Sequence, residues 1–332
     1  MASSQRILVA ISDISGDGML AWPALQMLVR SYPGCHIDLL AGRSSALLAA
    51  GLEGIEQIYD ETLLRQQLGA RRLRQQLRHQ QYSDYLCLSP LRRHRWLGRL
   101  LGIHFRFLPT RGRRRFWDGE AIGRPIGPMC WRRVYEKVVL QCLQKHKQAV
   151  VQPQSPYWRH AELSVRNMSD HALVVVYPGV ETGPNIGIDQ YQQLLSSLNL
   201  VSGAIEFVLC SRVHELSYCQ ALASGLAQEQ VACRIAEFSH DWDSVSKLML
   251  QADLVIGAQG PILWLAGAMD IPCVGFGALS LGSEMLRHPL ANLDRCLMFT
   301  PPLGRLTQED ISLINATDSA VRIRHWFHQL HA

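Results

Sequence analysis

The chain has 332 residues, 48% hydrophobic and 18% charged, so it is long enough for two domains and globular rather than disordered in composition. No apolar run approaches the roughly 18 residues that span a bilayer, and residues 1–6 lack a signal peptide's apolar core. Nine cysteines are scattered without a Cys-x-x-Cys pair, which argues against a zinc site or a disulfide framework. We therefore expect a cytoplasmic protein with reduced thiols.

Positive and negative charges are unevenly divided along the chain. The net charge is +5, but residues 1–150 hold 23 Lys and Arg against 11 Asp and Glu (+12), and residues 151–332 hold 10 against 17 (−7). A basic first half attracts an anionic partner such as a phosphorylated substrate, an anionic membrane surface or nucleic acid. Nucleic acid has the least support, because no aromatic-interleaved module accompanies the arginines.

A strand, a loop and a helix open the chain. Residues 7–11 form an apolar run typical of a buried parallel strand, and apolar residues recur at helical spacing over 19–28. The loop between them, residues 12–18, holds Asp17 with a glycine on each side. Small neighbours leave this carboxylate uncovered, and a strand–loop–helix unit directs backbone N–H groups towards a substrate or an anion.

The first half continues as alternating strands and helices. Further strands are predicted at 36–40, 55–59, 84–89 and 103–108, and helices at 45–51, 61–80 and 131–147. Residues 109–130 are rich in Arg, Gly and Pro and lack periodicity, so they predict a mobile loop. The segment 92–115 carries nine arginines and no acid, which fits either a solvated face or an anion-binding surface.

The second half repeats the alternation after a linker at 148–170. Strands are predicted at 173–177, 205–210, 231–235, 253–256 and 272–276, and helices at 189–198, 214–227, 241–251, 262–269 and 319–330. This pattern predicts an α/β protein with two Rossmann-like, doubly wound parallel-sheet domains, 1–155 and 156–332, that face a central cleft. The C-terminal helix is free to pack back on the first domain.

Ligands of doubly wound sheets bind where strands end at their carboxyl edge. In this chain the loops at those ends are 12–18, 178–185, 211–213, 238–239 and 257–261. We expect the functional residues to lie in them.

Several segments carry a resemblance to a known family. They are Gly16-Asp17 followed by Leu20-x-x-Pro23-Ala24-Leu25, Tyr177-Pro178-Gly179, residues 241–257, and residues 265–274. In this order and spacing they resemble the heptosyltransferases of lipopolysaccharide synthesis, glycosyltransferase family 9. The resemblance implies a GT-B fold whose first domain binds the acceptor. It also implies that the second domain binds a nucleotide-sugar, commonly ADP-heptose.

The chain departs from the family pattern at four positions. Ile11 stands where the family usually has a basic residue, and Asn185, next to Pro184, stands where it usually has a lysine. Gln259 and Trp264 replace the usual aspartate and histidine of the donor segment. These departures leave the donor identity open.

Inverting glycosyl transfer needs a base that deprotonates the acceptor hydroxyl, and a carboxylate within hydrogen-bond reach of that hydroxyl can serve. Asp17 fits this role in the exposed loop. The alternative is that Asp17 caps the helix that begins near Met19. The resemblance favours the base, and it places Asp13, the other carboxylate of the loop, second.

The remaining site residues follow from the loops and the resemblance. The predicted acceptor site comprises Asp13, Ser15, Gly16, Gly18, Arg113 and Arg114. The predicted donor site comprises Gly179, Val180, Glu181, Thr182, Asn185, Ser211, Arg212, Phe238, Ser239, Gln259, Gly260, Pro261 and Trp264. Backbone N–H groups at helix starts would face the departing diphosphate, although Pro261 has none to offer. Arg212 is the nearest charged candidate, and Arg113 or Arg114 could reach across on closure.

These residues together predict an inverting glycosyltransferase. It would move heptose or a related sugar from an ADP-heptose-like donor to a lipopolysaccharide core or similar anionic glycan, with peripheral contact at the inner membrane surface. No metal or other cofactor is expected, because Asp241-Trp242-Asp243 matches a metal pattern but stands at a helix start, where acids favour the macrodipole. The alternative is a degenerate, non-catalytic GT-B protein that binds a sugar, a nucleotide or a partner protein.

Overall fold

The protein falls into two compact units, Met1–Arg159 and His160–Ala332. The computed structural model describes residues 5–11, 18–42, 54–89, 91–110, 120–123, 131–154, 156, 172–179, 186–202, 205–238, 242–258, 260–276, 293–299 and 314–331. The predicted domain limits, with an acceptor role for the first domain and a donor role for the second, stay a prediction.

The first unit is a parallel sheet of six strands. They are β1 (Arg6–Ile11), β2 (His36–Ala41), β3 (Gln57–Asp60), β4 (Asp84–Leu88), β5 (Phe105–Thr110) and β6 (Glu120–Gly123). Its helices are α1 (Trp22–Ser31), α2 (Gln67–His79), α3 (Arg92–Leu100) and α4 (Trp131–Lys145). The strand order is β3-β2-β1-β4-β5-β6, and every pair is parallel.

Strand β1 lies in the middle of this sheet because its sequence is apolar on both faces. Residues 7–11 are fully buried, and Ile11 pairs with Leu88 at the end of β4. A strand covered by helices on both faces needs such an uninterrupted apolar run. The predicted opening strand is confirmed with one further residue, Arg6, at its start.

The helix predicted over 61–80 is divided in two. The Asp60 side chain accepts a hydrogen bond from the Thr62 N–H at 2.8 Å and starts a 3₁₀ turn, Glu61–Arg65. The backbone is extended at Gln66, and α2 begins after it. A Cβ on Gly69 would lie 2.9 Å from the Leu63 carbonyl oxygen, so the two pieces pack closely only because residue 69 is glycine.

Two other elements of the first unit differ from the sequence-based prediction. Helix α3 occupies part of the arginine-rich segment for which no helix is predicted, with Leu97 and Gly98 on its buried side. Strand β6 lies inside the predicted loop 109–130 and pairs with β5. A four-residue strand carries too little periodicity to be distinguished from a loop.

The second unit is a second parallel sheet of six strands. They are β7 (Ala172–Tyr177), β8 (Ile205–Ser211), β9 (Cys233–Glu237), β10 (Leu254–Ala258), β11 (Cys273–Phe276) and β12 (Cys296–Phe299). Its helices are α5 (Ile188–Ser202), α6 (Leu216–Gln228), α7 (Trp242–Leu250), α8 (Pro261–Ala268) and α9 (Ala316–His331). The strand order is β12-β11-β10-β7-β8-β9, again with parallel pairs only.

The C-terminal helix α9 packs on α5 of the second unit. The Gln190 side-chain amide donates to the Ile314 carbonyl at 3.0 Å, and the Gln193 amide donates to the Thr317 hydroxyl at 3.1 Å. Ile323 is buried in the same core as the strands. None of the helices in the described ranges combines the length and apolar character needed to cross a membrane. The predicted α/β class with two successive parallel sheets is confirmed.

Candidate functional site

Each sheet reverses its strand order at one point, between β1 and β4 in the first unit and between β7 and β10 in the second. The chain segments that leave adjacent strands at such a point turn to opposite faces of the sheet. A crevice therefore opens at the carboxyl ends of the strands, and it is where ligands of this fold class bind. The loops after these four strands are accordingly the candidate functional sites.

Gly18 is the one predicted acceptor-site residue within the described ranges. It is buried, and its backbone has right-handed helical angles of φ −60° and ψ −35°. It occupies the N-cap position of the 3₁₀ turn Met19–Ala21, where its carbonyl accepts from the Ala21 N–H at 3.1 Å. Gly18 is thus the first described residue of this turn, and both roles considered for Asp17, base and helix cap, stay predictions.

The other predicted acceptor-site residues lie outside the described residues. They are Asp13, Ser15, Gly16, Asp17, Arg113 and Arg114. The described flanks are β1, which ends at Ile11, and the turn that starts at Met19. The loop that holds Asp17 therefore joins these two elements at the point of strand-order reversal, while the roles of its residues stay predictions.

A buried charged cluster follows β3 and β4 at the same edge of the first sheet, and no sequence motif points to it. Glu61 and His94 are fully buried, and the two side chains approach to 2.5 Å between Nε2 and Oε2. Arg93 contacts the other carboxylate oxygen at 3.2 Å. The Tyr85 hydroxyl donates to the His94 carbonyl at 2.6 Å, which fixes the first turn of α3.

The charge state of Glu61 follows from these contacts. Burial raises the pKa of Glu61, but the hydrogen bond and charge of His94, together with Arg93, outweigh burial and hold the pKa below its ordinary value. The carboxylate is therefore ionised at neutral pH and orients Arg93. One feature of the sequence could have pointed to Glu61. Residues 61–110 hold ten arginines and only two carboxylates, so each carboxylate is expected to partner an arginine.

The reversal point of the second sheet is closely packed. Gly257 of β10 pairs with Tyr177 of β7, and a Cβ on Gly257 would lie 2.5 Å from the Tyr177 carbonyl oxygen. Gly179, two residues after β7 ends, is buried and has a φ of +61°, the left-handed region that favours glycine. These glycines let the two strands and the loop after β7 approach one another.

Arg212 and Ser211 are held at the end of β8 by a buried carboxylate and by main-chain bonds. The Arg212 N–H donates to Glu215 Oε2 at 3.2 Å, and the Tyr177 hydroxyl donates to Glu215 Oε1 at 3.4 Å. Burial raises the pKa of Tyr177 above its ordinary range, although the Arg212 charge opposes this, so the phenol stays a hydrogen-bond donor. The Ser211 hydroxyl donates to the Arg212 carbonyl at 2.8 Å.

Phe238 follows β9 and packs at the carboxyl edge of the second sheet. Its N–H donates to the Ser211 carbonyl at 2.9 Å, and its ring lies 6.4 Å from the Tyr177 ring between centroids. The side chain is buried. Phe238 therefore offers mainly packing to the edge of the sheet.

Helix α8 begins directly after β10 and carries three of the predicted donor-site residues. Gly260 is its N-cap, and Pro261 occupies its first turn, where a missing N–H costs no hydrogen bond. The Trp264 N–H donates to the Gly260 carbonyl at 3.0 Å. The Trp264 indole Nε1 is buried and donates to no acceptor among the described residues. A buried indole N–H is usually hydrogen-bonded, so its acceptor lies outside the described residues or is a ligand oxygen.

The structure thus brings Gly179, Ser211, Arg212, Phe238, Gly260, Pro261 and Trp264 to the carboxyl ends of four adjacent strands. The remaining predicted donor-site residues, Val180, Glu181, Thr182, Asn185, Ser239 and Gln259, lie outside the described residues.

One group of possible metal ligands occurs within the described ranges. Donor atoms of Asp84, Cys142 and His146 lie within 4.8 Å of one another, at the amino end of β4 and away from the candidate site. Hydrogen-bond donors already surround the Asp84 carboxylate: Gln5 at 2.6 Å, Ser83 at 2.7 Å and His146 at 2.8 Å. This network accounts for the buried charge without an ion. That the reaction requires no metal stays a prediction.

No family model matches the chain. A Haemophilus influenzae protein provisionally named a glycosyltransferase is 26% identical over 340 aligned positions, which cover 96% of each chain. Among solved structures, the E. coli ADP-heptose lipopolysaccharide heptosyltransferase II matches 99% of this chain and all of its own, with a TM-score of 0.77 and 18% identity. A glycosyltransferase of family 9 from Veillonella parvula matches with a TM-score of 0.76 and 12% identity, over 100% of this chain and 99% of its own.

The chain has the heptosyltransferase fold. A second E. coli heptosyltransferase, solved with ADP, agrees at a TM-score of 0.73 and 15% identity, over 97% of this chain and 100% of its own. The heptosyltransferase fold is of the GT-B class, so the predicted fold and the resemblance to family 9 glycosyltransferases are confirmed. The agreement extends over the whole chain and includes both sheets.

Proposed function

We propose that this protein, which matches glycosyltransferases in fold and in its curated relative, is an inverting glycosyltransferase. Its donor is a nucleotide-sugar of the ADP-heptose kind, and its acceptor is a lipopolysaccharide core or similar anionic glycan. Peripheral contact with the inner membrane surface belongs to the same proposal, because such an acceptor is anchored in a bilayer. The observation that carries it is the full-length agreement with the heptosyltransferase fold.

The reaction assigns Asp17 as the base. Its carboxylate takes the proton from the acceptor hydroxyl while the hydroxyl oxygen attacks the anomeric carbon of the donor. The bond from that carbon to the diphosphate oxygen breaks, and the nucleoside diphosphate leaves with the electron pair. Asp17 is supported by its place in the sequence, in the loop that follows β1 where the strand order reverses.

The departing diphosphate needs positive potential at the second sheet. Arg212, whose backbone N–H is bonded to Glu215 at the end of β8, supplies a formal charge. The start of α8 supplies backbone N–H groups, reduced by one at Pro261, and the Trp264 indole N–H supplies a side-chain donor. A tryptophan in place of the family's histidine thus keeps a donor at this position without a titratable group.

The test compares Asp17→Asn with Asp13→Asn, the same change four positions earlier in the loop. Purified variants are incubated with ADP-heptose and a lipopolysaccharide core acceptor, and ADP release is followed. We expect Asp17→Asn to lower the turnover number by roughly 10²–10⁴-fold with little change in donor affinity, because only the proton acceptor is lost. Undiminished release, or an equal loss from Asp13→Asn, would contradict the assignment of the base.

A non-catalytic protein that binds a sugar or nucleotide is the second candidate. The replacement of the usual lysine, aspartate and histidine by Asn185, Gln259 and Trp264 favours it. A non-catalytic protein should bind ADP or an ADP-sugar in calorimetry and should release no ADP in response to an acceptor at any protein concentration. The same assay therefore separates the two candidates.

A further inference from the structure

The surface formed by α2 and α3 of the first unit is cationic and lacks exposed acids. Residues 61–110 hold ten arginines, no lysine and two carboxylates. Both carboxylates, Glu61 and Asp84, are fully buried and bonded inside the unit. The outward face of these helices therefore carries positive charge with no compensating acid of its own.

Large apolar side chains stand among these arginines. Leu68 is 72% exposed, Trp96 is 45% exposed and Leu100 is 47% exposed. Most large apolar side chains of the unit are buried, so three exposed ones on two helices are unusual. We define the α2–α3 surface as Leu68, Arg71, Arg72, Arg92, Trp96, Arg99 and Leu100.

These residues lie on the exposed sides of two helices that touch at their C-terminal ends and share one core. Arg78 of α2 donates to the Leu100 carbonyl at the end of α3, with 2.6 Å between Nη2 and O. Leu73 and Leu77 of α2 share one buried core with Leu97 of α3. Their opposite faces are therefore exposed next to each other. Within α3, Trp96 is four residues from both Arg92 and Leu100, and Arg99 is three residues after Trp96, which places them on one side of the helix.

The combination of arginine, tryptophan and leucine fits one kind of partner. Helices that lie in a membrane interface place Trp and Leu into the acyl boundary and hold Lys or Arg against anionic headgroups. Arg99 lies over the Trp96 ring, 5.7 Å from its centroid, an arrangement that keeps an apolar ring and a charge at the same level. Among the described residues no carboxylate pairs with Arg71, Arg72 or Arg92, so these charges can meet phosphate.

We infer that the α2–α3 surface binds anionic phospholipid bilayers. Nucleic acid would engage the same charges, but it gives no role to Leu68 and Leu100, and single-strand binding uses several stacked aromatic rings rather than one. The inference locates the membrane contact that accompanies the proposed function. It requires no sugar transfer, so bilayer binding and glycosyl transfer can fail separately.

The test measures co-sedimentation of the full chain with vesicles of phosphatidylcholine alone or with 30% phosphatidylglycerol. The test variant carries Arg71→Gln, Arg72→Gln, Arg92→Gln and Arg99→Gln. The matched control removes four charges elsewhere through Arg30→Gln, Arg234→Gln, Arg322→Gln and Arg324→Gln. Circular dichroism and thermal midpoints verify that both variants fold.

We expect wild type and control to bind the anionic vesicles, more weakly at higher salt, and to leave neutral vesicles largely unbound. Each arginine near an anionic surface changes the partition by about fivefold, so the test variant, which lacks four, should bind about 600-fold more weakly. Equal binding by the test variant and wild type, or an equal loss in the control, would overturn the inference.

Trp96 and Leu68 test the apolar half of the surface. Trp96→Ser with Leu68→Ser should weaken vesicle binding about tenfold or more while leaving its dependence on salt unchanged, because apolar burial is not screened. In a second arm, a single-stranded oligonucleotide competes with the vesicles. Release of the protein from vesicles by the oligonucleotide at equal phosphate concentration would identify a nucleic-acid surface and overturn the inference. Unchanged vesicle binding by the double variant would also overturn it, because the apolar side chains would then not enter the bilayer.

Discussion

The two units share a strand order but not a way of stabilising it. If each is read from its own first strand, both sheets have the order 3-2-1-4-5-6. The described part of the first unit buries three carboxylates, Asp38, Glu61 and Asp84, each in contact with a cation or a histidine. The described part of the second unit buries one, Glu215, which is bonded to a backbone N–H and a phenol.

The buried carboxylates indicate that charge interactions contribute more to the stability of the first unit than to that of the second. The first unit carries excess positive charge on its surface. Its buried carboxylates bond to side chains that are far apart in sequence. The described part of the second unit places one buried carboxylate beside an extensive apolar core, with stacked rings such as Phe276 and Phe299 at 5.4 Å between centroids. The first unit should therefore respond to pH and to charge substitutions, and the second to changes of volume.

The largest effect is expected from Glu61→Gln in the first unit. The amide leaves His94 and Arg93 without their buried counter-charge, which should lower the free energy of unfolding by about 3 kcal/mol. Glu215→Gln is the matched change in the second unit and should cost about 1 kcal/mol, because neutral donors lose less. Urea unfolding followed by hydrogen exchange in β3, β4, β7 and β8 measures both. Equal losses of unfolding free energy in the two units would contradict the greater role of charge in the first unit.

A smaller effect is expected from Gly257→Ala at the reversal point of the second sheet. The new methyl group would meet the Tyr177 carbonyl, and overpacking against backbone should cost about 2 kcal/mol and weaken nucleotide binding. Gly225→Ala in α6 is the control, since its methyl group meets only the movable end of Gln192. Urea midpoints and ADP titrations report the two effects. A stable Gly257→Ala protein with unchanged ADP affinity would show that this close approach is unimportant.

The smallest effect is the pH dependence of the first unit. Glu61 has a pKa below its ordinary value of 4.5 in the folded protein, so its contribution to stability is present above that value and is lost as the pH falls through the folded pKa. One such group changes stability by at most about 1.4 kcal/mol per pH unit. Hydrogen exchange, corrected for the chemical exchange rate, should show β3 and β4 losing protection before β7 and β10 below pH 4.5. Glu61→Gln should reduce this difference.

The strand and helix order was predictable where apolar runs are long. Residues 7–11 and 173–177 predict central strands, because a strand that is covered on both faces needs an uninterrupted apolar run. β6 has only two apolar residues, Ala121 and Ile122, and so resembles a loop. The division of the helix predicted at 61–80 depends on the close contact of Gly69 with Leu63, a tertiary contact that has no periodic signature.

The sequence predicts which loops form the candidate site, but it does not predict the contacts that their side chains make. Strand–helix alternation places loops at carboxyl ends, and this brings Arg212, Gly260 and Trp264 to one edge. The Glu61–His94 contact joins residues 33 positions apart in no common motif, so only the packing of α3 over the turn after β3 reveals it. The burial of the Trp264 indole N–H away from every acceptor in the described ranges is likewise a property of packing.

The most direct test of the central claim is ADP release by the wild-type protein from ADP-heptose, with and without a lipopolysaccharide core acceptor. The account predicts release that depends on the acceptor and a product enlarged by one heptose residue, detected by mass spectrometry. The absence of nucleotide binding, or binding without release across a panel of nucleotide-sugars and core acceptors, would contradict it.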